Sequence, residues 1–336
     1  METGGAETML VDIMNGQISA GHRVTLLIVN DREAESVTGS IDPAVEIIRF
    51  HRREGAAPLM MMARLNMTIC RLKPDIVHVH HEKFCRLVRM RRSRLLYTVH
   101  CLNADMQYCN GVHIAAITDI VGDDVRKRLS NAKVRTVANG IRIDSIPVRK
   151  REVSDVFRFL QVGRLSPELK GQDIAIRALG ELHRRGIDNV EITFIGAGDG
   201  LTALRELAAT EGVDDRVHFL GLRDRDYIYS HLHTFDAMVH PSRYEGFGLT
   251  VAEGMGAGLP LIVTEHDGPW EVADHGRLCM SVERDNYVSC ADAMVEMMNN
   301  YAKALILADE AREYVRRFDI ARTVESYDKY YSDIIG

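Results

Sequence analysis

Short apolar runs alternate with longer stretches in which apolar residues recur every three or four positions, and the alternation continues along all 336 residues. This pattern predicts an α/β chain. In the first half the strand-like runs are 22–29, 45–50, 75–80, 95–99, 113–117 and 134–137; in the second they are 157–162, 190–195, 216–220, 235–239 and 261–264. Several are apolar on both faces (DIVHV, ITFIG, LIVT), as strands of a buried parallel sheet are. Residues 7–19 put Met9, Leu10, Ile13, Met14 and Ile18 on one helical face, with Gly21 where the helix would end. Residues 173–185, 201–211 and 287–298 read similarly, and the arginine-rich 84–96 is expected to be helical. Segment 141–154 is polar, contains Pro147, has little periodicity and reads as a linker. Two Rossmann-like, doubly wound parallel-sheet domains follow, 1–147 and 148–317, facing each other across a cleft. A last helix within 318–336, carrying Val324, Tyr327, Tyr330, Tyr331 and Ile334, is expected to cross back to the first domain.

A formal net charge of −6 argues against a nucleic-acid partner. No apolar run is long enough for a membrane span. METGGAETML lacks the basic start and apolar core of a signal peptide. The six cysteines show no CxxC spacing and read as reduced thiols, so a cytoplasmic protein is expected. Cys101 and Cys109 with His100 and His113 fit no common zinc pattern, and neither metal nor cofactor is expected.

The most informative stretch is HPSRYEGFGLTVAEGMGAG, residues 240–258, which leads from the end of one strand into a helix before the next strand. Open α/β sheets bind ligands at such strand ends, and free amides at a helix start suit a phosphate. Gly246 and Gly248 let the backbone approach a ligand. Glu245 lies in the loop, and Glu253, eight residues on, lies about a turn into the helix. A second element, FLQVGRLSPELKGQD, sets Arg164 after a strand and Lys170 at a helix start, two cations able to converge on a diphosphate. FIGAGDG adds Gly196 and Gly198 after another strand.

Together these stretches resemble the glycogen-synthase-like family of retaining GT-B glycosyltransferases, known as family 4, group 1. The likeness runs through EGFGLTVAEGMGAGLPLIVT, the G-R-L…K-G pattern and the glycine loop, and covers nearly the whole chain. It implies that Glu245 approaches the donor sugar and Glu253 the ribose, that Arg164 and Lys170 hold the diphosphate, and that His100 approaches the sugar. It also implies donor contacts from Gly163, Gly196, Gly198, Gly246, Phe247, Gly248, Leu249 and Thr250, and an acceptor-side loop at Gly4 and Gly5. The implied reaction moves a sugar with retention, from a UDP-sugar in the first instance, to a glycan or lipid-linked acceptor in cell-surface polysaccharide or glycoconjugate biosynthesis.

The sequence departs from that family in three places. Relatives have an apolar strand before the GGAET loop, so the N-terminal sheet is expected to lack its first strand. The stretch after His100 is short. Pro269 and Trp270 stand where relatives keep smaller residues near the donor. Arg86, Arg89, Arg91, Arg92 and Arg94 suggest a peripheral contact through 84–96 at the inner membrane face. An epimerase on the same scaffold would turn over donor without acceptor. A non-catalytic nucleotide-sugar-binding protein would tolerate Glu245→Ala. A nicotinamide-dependent dehydrogenase would bind the dinucleotide instead.

Overall fold

The computed structural model describes residues 4–30, 34–52, 58–149 and 155–336. The chain divides into two compact units, Met1–Ile141 with Phe318–Gly336, and Arg142–Arg317.

The first unit holds β1 (Thr25–Asn30), β2 (Glu46–Arg52), β3 (Val77–Val79), β4 (Leu95–Val99), β5 (His113–Ala116) and β6 (Lys133–Thr136). All pairings are parallel, but they form two sets: β1 with β2, and β3-β4-β5-β6. In the strand order 3-2-1-4-5-6 of doubly wound sheets, β2 and β1 would stand on one side of the first strand and β3 to β6 on the other. No described strand occupies that central place.

Helix Gly5–Ser19 packs Val11 and Met14 against Val37, Ile41 and Val45. Helix Ile320–Ile335 belongs to this unit. Its tyrosines bury their rings while each hydroxyl finds a partner, as buried phenols require. Tyr330 donates to the Ile114 and Lys133 carbonyls at 3.2 and 2.9 Å, and the Tyr327 hydroxyl meets Thr98 at 2.9 Å.

Two expectations are corrected here. Residues 84–96 are not one helix: helix Glu82–Leu87 stops, a 3-10 turn spans Arg92–Arg94, and β4 begins at Leu95. The cause lies on helix Pro58–Leu72. There the Asn66 amide donates to the Leu87 carbonyl at 2.9 Å and accepts from the Arg89 N–H at 2.6 Å, capturing backbone groups that a longer helix would need. Nor is the described part of 141–154 a free linker. Ile143, Ile146 and Arg149 are buried, and the Arg149 N–H donates to the Ala257 carbonyl at 2.8 Å, fastening this stretch to the second unit. A polar composition concealed that attachment because its anchor is itself a charge.

The second unit holds β7 (Phe157–Val162), β8 (Val190–Ile195), β9 (Val217–Phe219), β10 (Ala237–His240), β11 (Leu261–Thr264) and β12 (Met280–Val282), all parallel. The strand order is β12-β11-β10-β7-β8-β9, a doubly wound sheet. Helices Gln172–Arg184, Leu201–Thr210 and Tyr287–Asn299 bury Ile176, Leu204 and Met294 in one core with Phe159, Ile192 and Phe194. The three-residue edge strand β12 escapes the sequence reading because it is too short to show a period. Among the described residues, no helix is long and apolar enough to cross a membrane.

Candidate active site

The chain winds outward from β7 in both directions, so β7 and β10 are neighbours with diverging connections. The carboxyl ends of two such strands open a crevice that no helix covers. Arg164 and Lys170 follow β7, and Glu245 and Glu253 follow β10. The adjacency of these two strands, far apart in sequence, gathers the four residues at one end of the sheet.

After β7 the chain stays close to its neighbour. The Gly163 N–H donates to Ile195 and the Leu165 N–H to Ala197, both at 3.0 Å. A Cβ on Gly196 would lie 1.9 Å from the Gly163 carbonyl oxygen, so only glycine lets these loops meet. Gly198 approaches the Leu165 carbonyl oxygen in the same way, at 2.3 Å from a built Cβ. Two buried glutamines fix the other side. Gln172 donates to the Arg164 carbonyl at 2.8 Å and Gln161 to the Lys170 carbonyl at 2.7 Å. The Arg164 side chain is exposed and makes no ion pair among the described residues.

Lys170 ends the short helix Pro167–Lys170, and Gly171 turns the chain with φ 64°. A Cβ on Gly171 would lie 1.9 Å from the Pro241 carbonyl oxygen, so this turn rests directly on the chain leaving β10. The Lys170 ammonium and the Glu245 carboxylate form an ion pair there. His240, 1% exposed, stands 3.8 Å from the same carboxylate oxygen. Burial works to raise the Glu245 carboxyl, but His240 and Lys170 outweigh it and hold it well below its ordinary 4.5.

The loop carrying Glu245 is pinned by Asp267, which is fully buried. This carboxylate accepts from the Glu245 and Gly268 N–H groups at 3.0 Å each and from the Ser242 hydroxyl at 2.8 Å. Arg243 braces the same loop, donating to both Asp173 oxygens at 2.7 and 2.8 Å and to the Pro167 carbonyl at 2.6 Å. Gly246 is buried, and so is the Phe247 side chain. Gly248 is the N-cap of helix Leu249–Ala257, whose first residues Leu249 and Thr250 are half-buried. Glu253 is 7% exposed, one turn in. The Trp270 ring meets His266 tilted and His275 edge-on, with centroids 4.9 and 5.4 Å apart, while Pro269 rests on Gly248.

Gln161, Gln172, Asp267 and Arg243 escaped the sequence reading. Asp267 alone carries a signal, since Asp before Gly-Pro is a helix-start pattern, and it caps helix Gly268–Val272.

In the first unit, Gly4 and Gly5 form the N-terminal end of the first helix, with the Thr8 hydroxyl and N–H both donating to the Gly4 carbonyl. His100 follows β4, and its Nε2 meets His80 Nδ1 at 3.1 Å. His78 engages the Tyr331 and Thr98 hydroxyls at 2.8 and 2.6 Å, and its ring lies 4.3 Å from that of His80. Burial first, and then repulsion between rings for His78 and His80, disfavours protonation: from 6.5, His78 falls to about 3, His100 to about 4 and His80 well below.

Histidines whose folded pKa is depressed take up protons on unfolding. Their contribution is therefore complete above the unfolded value of about 6.5 and is lost as the pH falls toward about 4. The urea midpoint of the first unit is expected to drop between pH ~7 and ~5, and His80→Gln to reduce that drop. A midpoint constant over this range would rule the cluster out as its cause.

Comparison with known proteins adds to this geometry. Residues 143–317 match the family model for glycosyl transferases group 1, and residues 3–145 match that for glycosyltransferase family 4. The GDP-mannose-dependent alpha-(1-6)-phosphatidylinositol monomannoside mannosyltransferase of Mycobacterium tuberculosis is 31% identical over 161 residues, 46% of this chain and 41% of that protein. The match thus spans about two fifths of that relative's length. The lipopolysaccharide core biosynthesis glycosyltransferase LpsD of Rhizobium meliloti is 26% identical over 336 residues, covering 96% of this chain and 94% of that protein. Among solved structures, Anabaena Alr3699/HepE in complex with UDP and glucose superposes with a TM-score of 0.80 at 19% identity, covering 99% of this chain and 98% of the other. At that identity the likeness is one of fold, the two-domain GT-B fold.

Proposed function

Because the chain belongs to the glycosyl transferases group 1 family, we propose that it transfers a sugar from a nucleotide-sugar donor, a UDP-sugar first, to a glycan or lipid-linked acceptor with retention. The setting is the assembly of cell-surface polysaccharide or glycoconjugate. The observation that carries this reading is the Lys170–Glu245 ion pair at the carboxyl ends of β7 and β10. A cation and a carboxylate held together there suit a ligand with an anionic diphosphate and a hydroxyl-rich sugar.

When the donor binds, its diphosphate competes with Glu245 for Lys170 and also meets the exposed Arg164. The bond from the sugar's anomeric carbon to the diphosphate breaks through an oxocarbenium-like transition state. Negative charge grows on the leaving phosphate, and the two cations stabilise it more strongly than they do the bound donor. The acceptor hydroxyl attacks from the face the phosphate leaves and passes its proton to a phosphate oxygen. Glu245 orients the sugar, Glu253 accepts from the ribose hydroxyls, and the amides of Leu249 and Thr250 face the phosphates. The family resemblance assigns His100 a role toward the sugar and Gly4 and Gly5 a role toward the acceptor. None of these steps calls for a metal.

Thermal denaturation with UDP, GDP and ADP tests donor binding. One diphosphate is expected to raise Tm, and Arg164→Ala to reduce its affinity about tenfold or more, as loss of a charge-assisted bond does. A product with an inverted anomeric centre would overturn retention. Turnover of donor without acceptor would favour the epimerase. Tm unchanged by every diphosphate would end the reading altogether.

A further inference from the structure

We propose that His80 is the positioning residue of His100, and that the two rings together offer one hydrogen-bond donor and one acceptor to uncharged sugar hydroxyls. This deepens the transfer reading, on which it rests, by naming a second residue and the kind of group the pair receives.

His80 Nδ1 and His100 Nε2 lie 3.1 Å apart, so one of them carries a proton that the other accepts. A neutral imidazole is protonated on one nitrogen only, and the bond made by one nitrogen sets the state of the other. If His100 Nε2 donates, His80 carries its proton on Nε2 and His100 Nδ1 is bare. If His80 Nδ1 donates, His80 Nε2 is bare and His100 carries its proton on Nδ1. In either arrangement the outer nitrogens, His80 Nε2 and His100 Nδ1, present one donor and one acceptor. Among the described residues neither outer nitrogen has a partner, and neither is sealed from solvent. His80 directly follows β3 and His100 directly follows β4, its parallel neighbour. The pair therefore stands at the carboxyl ends of adjacent strands, where open α/β sheets receive ligands.

The rings are held from behind. Gln17 donates to the Tyr331 hydroxyl at 3.0 Å, leaving the phenol proton for His78 Nδ1 at 2.8 Å. His78 is then protonated on Nε2, which donates to the Thr98 hydroxyl at 2.6 Å. This fixed ring packs against that of His80 with centroids 4.3 Å apart, and His80 stacks on His100 at 5.3 Å. Helix Ile320–Ile335, which supplies Tyr331, thus orients His100 through His78 and His80. Such a pair does not suit a phosphate, which calls for donors alone. The pair could offer two donors only by taking up a proton, and burial, with repulsion between rings, holds both histidines neutral at pH ~7. A sugar hydroxyl donates and accepts at once, so adjacent hydroxyls satisfy both outer nitrogens.

Two-bond proton–nitrogen spectra of the full chain, labelled with 15N-histidine and measured at pH ~7 without ligand, read the tautomer of each ring. His80 and His100 are expected to share one tautomer, both Nε2–H or both Nδ1–H, because a bond between Nδ1 of one and Nε2 of the other requires it. In His80→Phe the His100 signals are expected to move to those of mixed tautomers. Its kcat for transfer is expected to fall about tenfold or more, with the diphosphate-induced rise in Tm unchanged. His80→Asn, whose amide reaches the position of Nδ1, is expected to return His100 to one tautomer and kcat to within about threefold of wild type. Opposite tautomers on the two rings of the wild-type protein would overturn the proposal, as would unaltered His100 signals or wild-type kcat in His80→Phe. Inorganic phosphate is expected to leave both rings neutral, and imidazolium signals on adding it would overturn the assignment to hydroxyls. A Tm unmoved by every diphosphate would instead end the transfer reading, so the two failures are told apart.

Discussion

Asp236→Ala is expected to cost the second unit about 3–5 kcal/mol of stability, because it strips the counter-charge from a buried arginine. Asp236 is 2% exposed and Arg149 8%. Their side chains form an ion pair, and Arg149 Nε also donates to the Phe235 carbonyl at 2.6 Å. The other Asp236 oxygen accepts from the Arg158 N–H at 2.8 Å. The Tyr301 ring lies 5.6 Å from the guanidinium, and its hydroxyl donates to the Asp236 carbonyl at 2.8 Å. Water cannot reach this cluster to solvate a charge left alone. The cost of the single substitution therefore reflects an orphaned cation more than the strength of the pair. Arg149→Met/Asp236→Leu, which removes both charges and fills the volume, is expected to recover much of the loss. Urea denaturation of the three variants decides the matter. A loss below ~1 kcal/mol for Asp236→Ala would mean that the arginine finds solvent after all.

The same cluster illustrates what the sequence could and could not disclose. Parallel strands apolar on both faces announced themselves, and all but the three-residue β12 lie within or close to the expected runs. The 240–258 loop was legible because its chemistry is local: glycines, a helix start and two glutamates within nine residues. The pairing of β7 with β10 is not local, and it alone brings Lys170 to Glu245. The residues that hold the loops in place were invisible for a related reason. A glutamine or aspartate beyond a strand looks like any solvated polar group until its partner, tens of residues away, is known. Gln161, Gln172, Asp267 and Arg149 are of this kind. The end of the 82–87 helix has the same origin, since the side chain that stops it comes from Asn66.

Lys170→Ala is expected to lower kcat/KM for transfer by about 10²–10³-fold, the usual effect of removing one group that stabilises charge developing in the transition state. Two consequences of the ion pair combine in this figure. The leaving diphosphate loses a cation, and Glu245 loses one of the two groups that hold its carboxyl down. With His240 remaining as the other, the Glu245 carboxyl rises toward its ordinary range. The acid limb of the kcat/KM profile is therefore expected to move to higher pH in the variant, because protonation of Glu245 then begins at a higher pH. A merely structural lysine would lower activity without moving that limb. Gly171→Ala provides a separate check, since it leaves both charges in place. The left-handed φ of 64° and the 1.9 Å approach of an added Cβ to the Pro241 carbonyl oxygen would force the turn off β10 and carry Lys170 away from Glu245. Its activity is expected to fall with kcat more affected than donor affinity, as misplacement of a charge by about an ångström does. Steady-state kinetics of both variants across pH ~4–9 test this. Lys170→Ala with kcat/KM within about threefold of wild type would show that the diphosphate leaves without help from this residue.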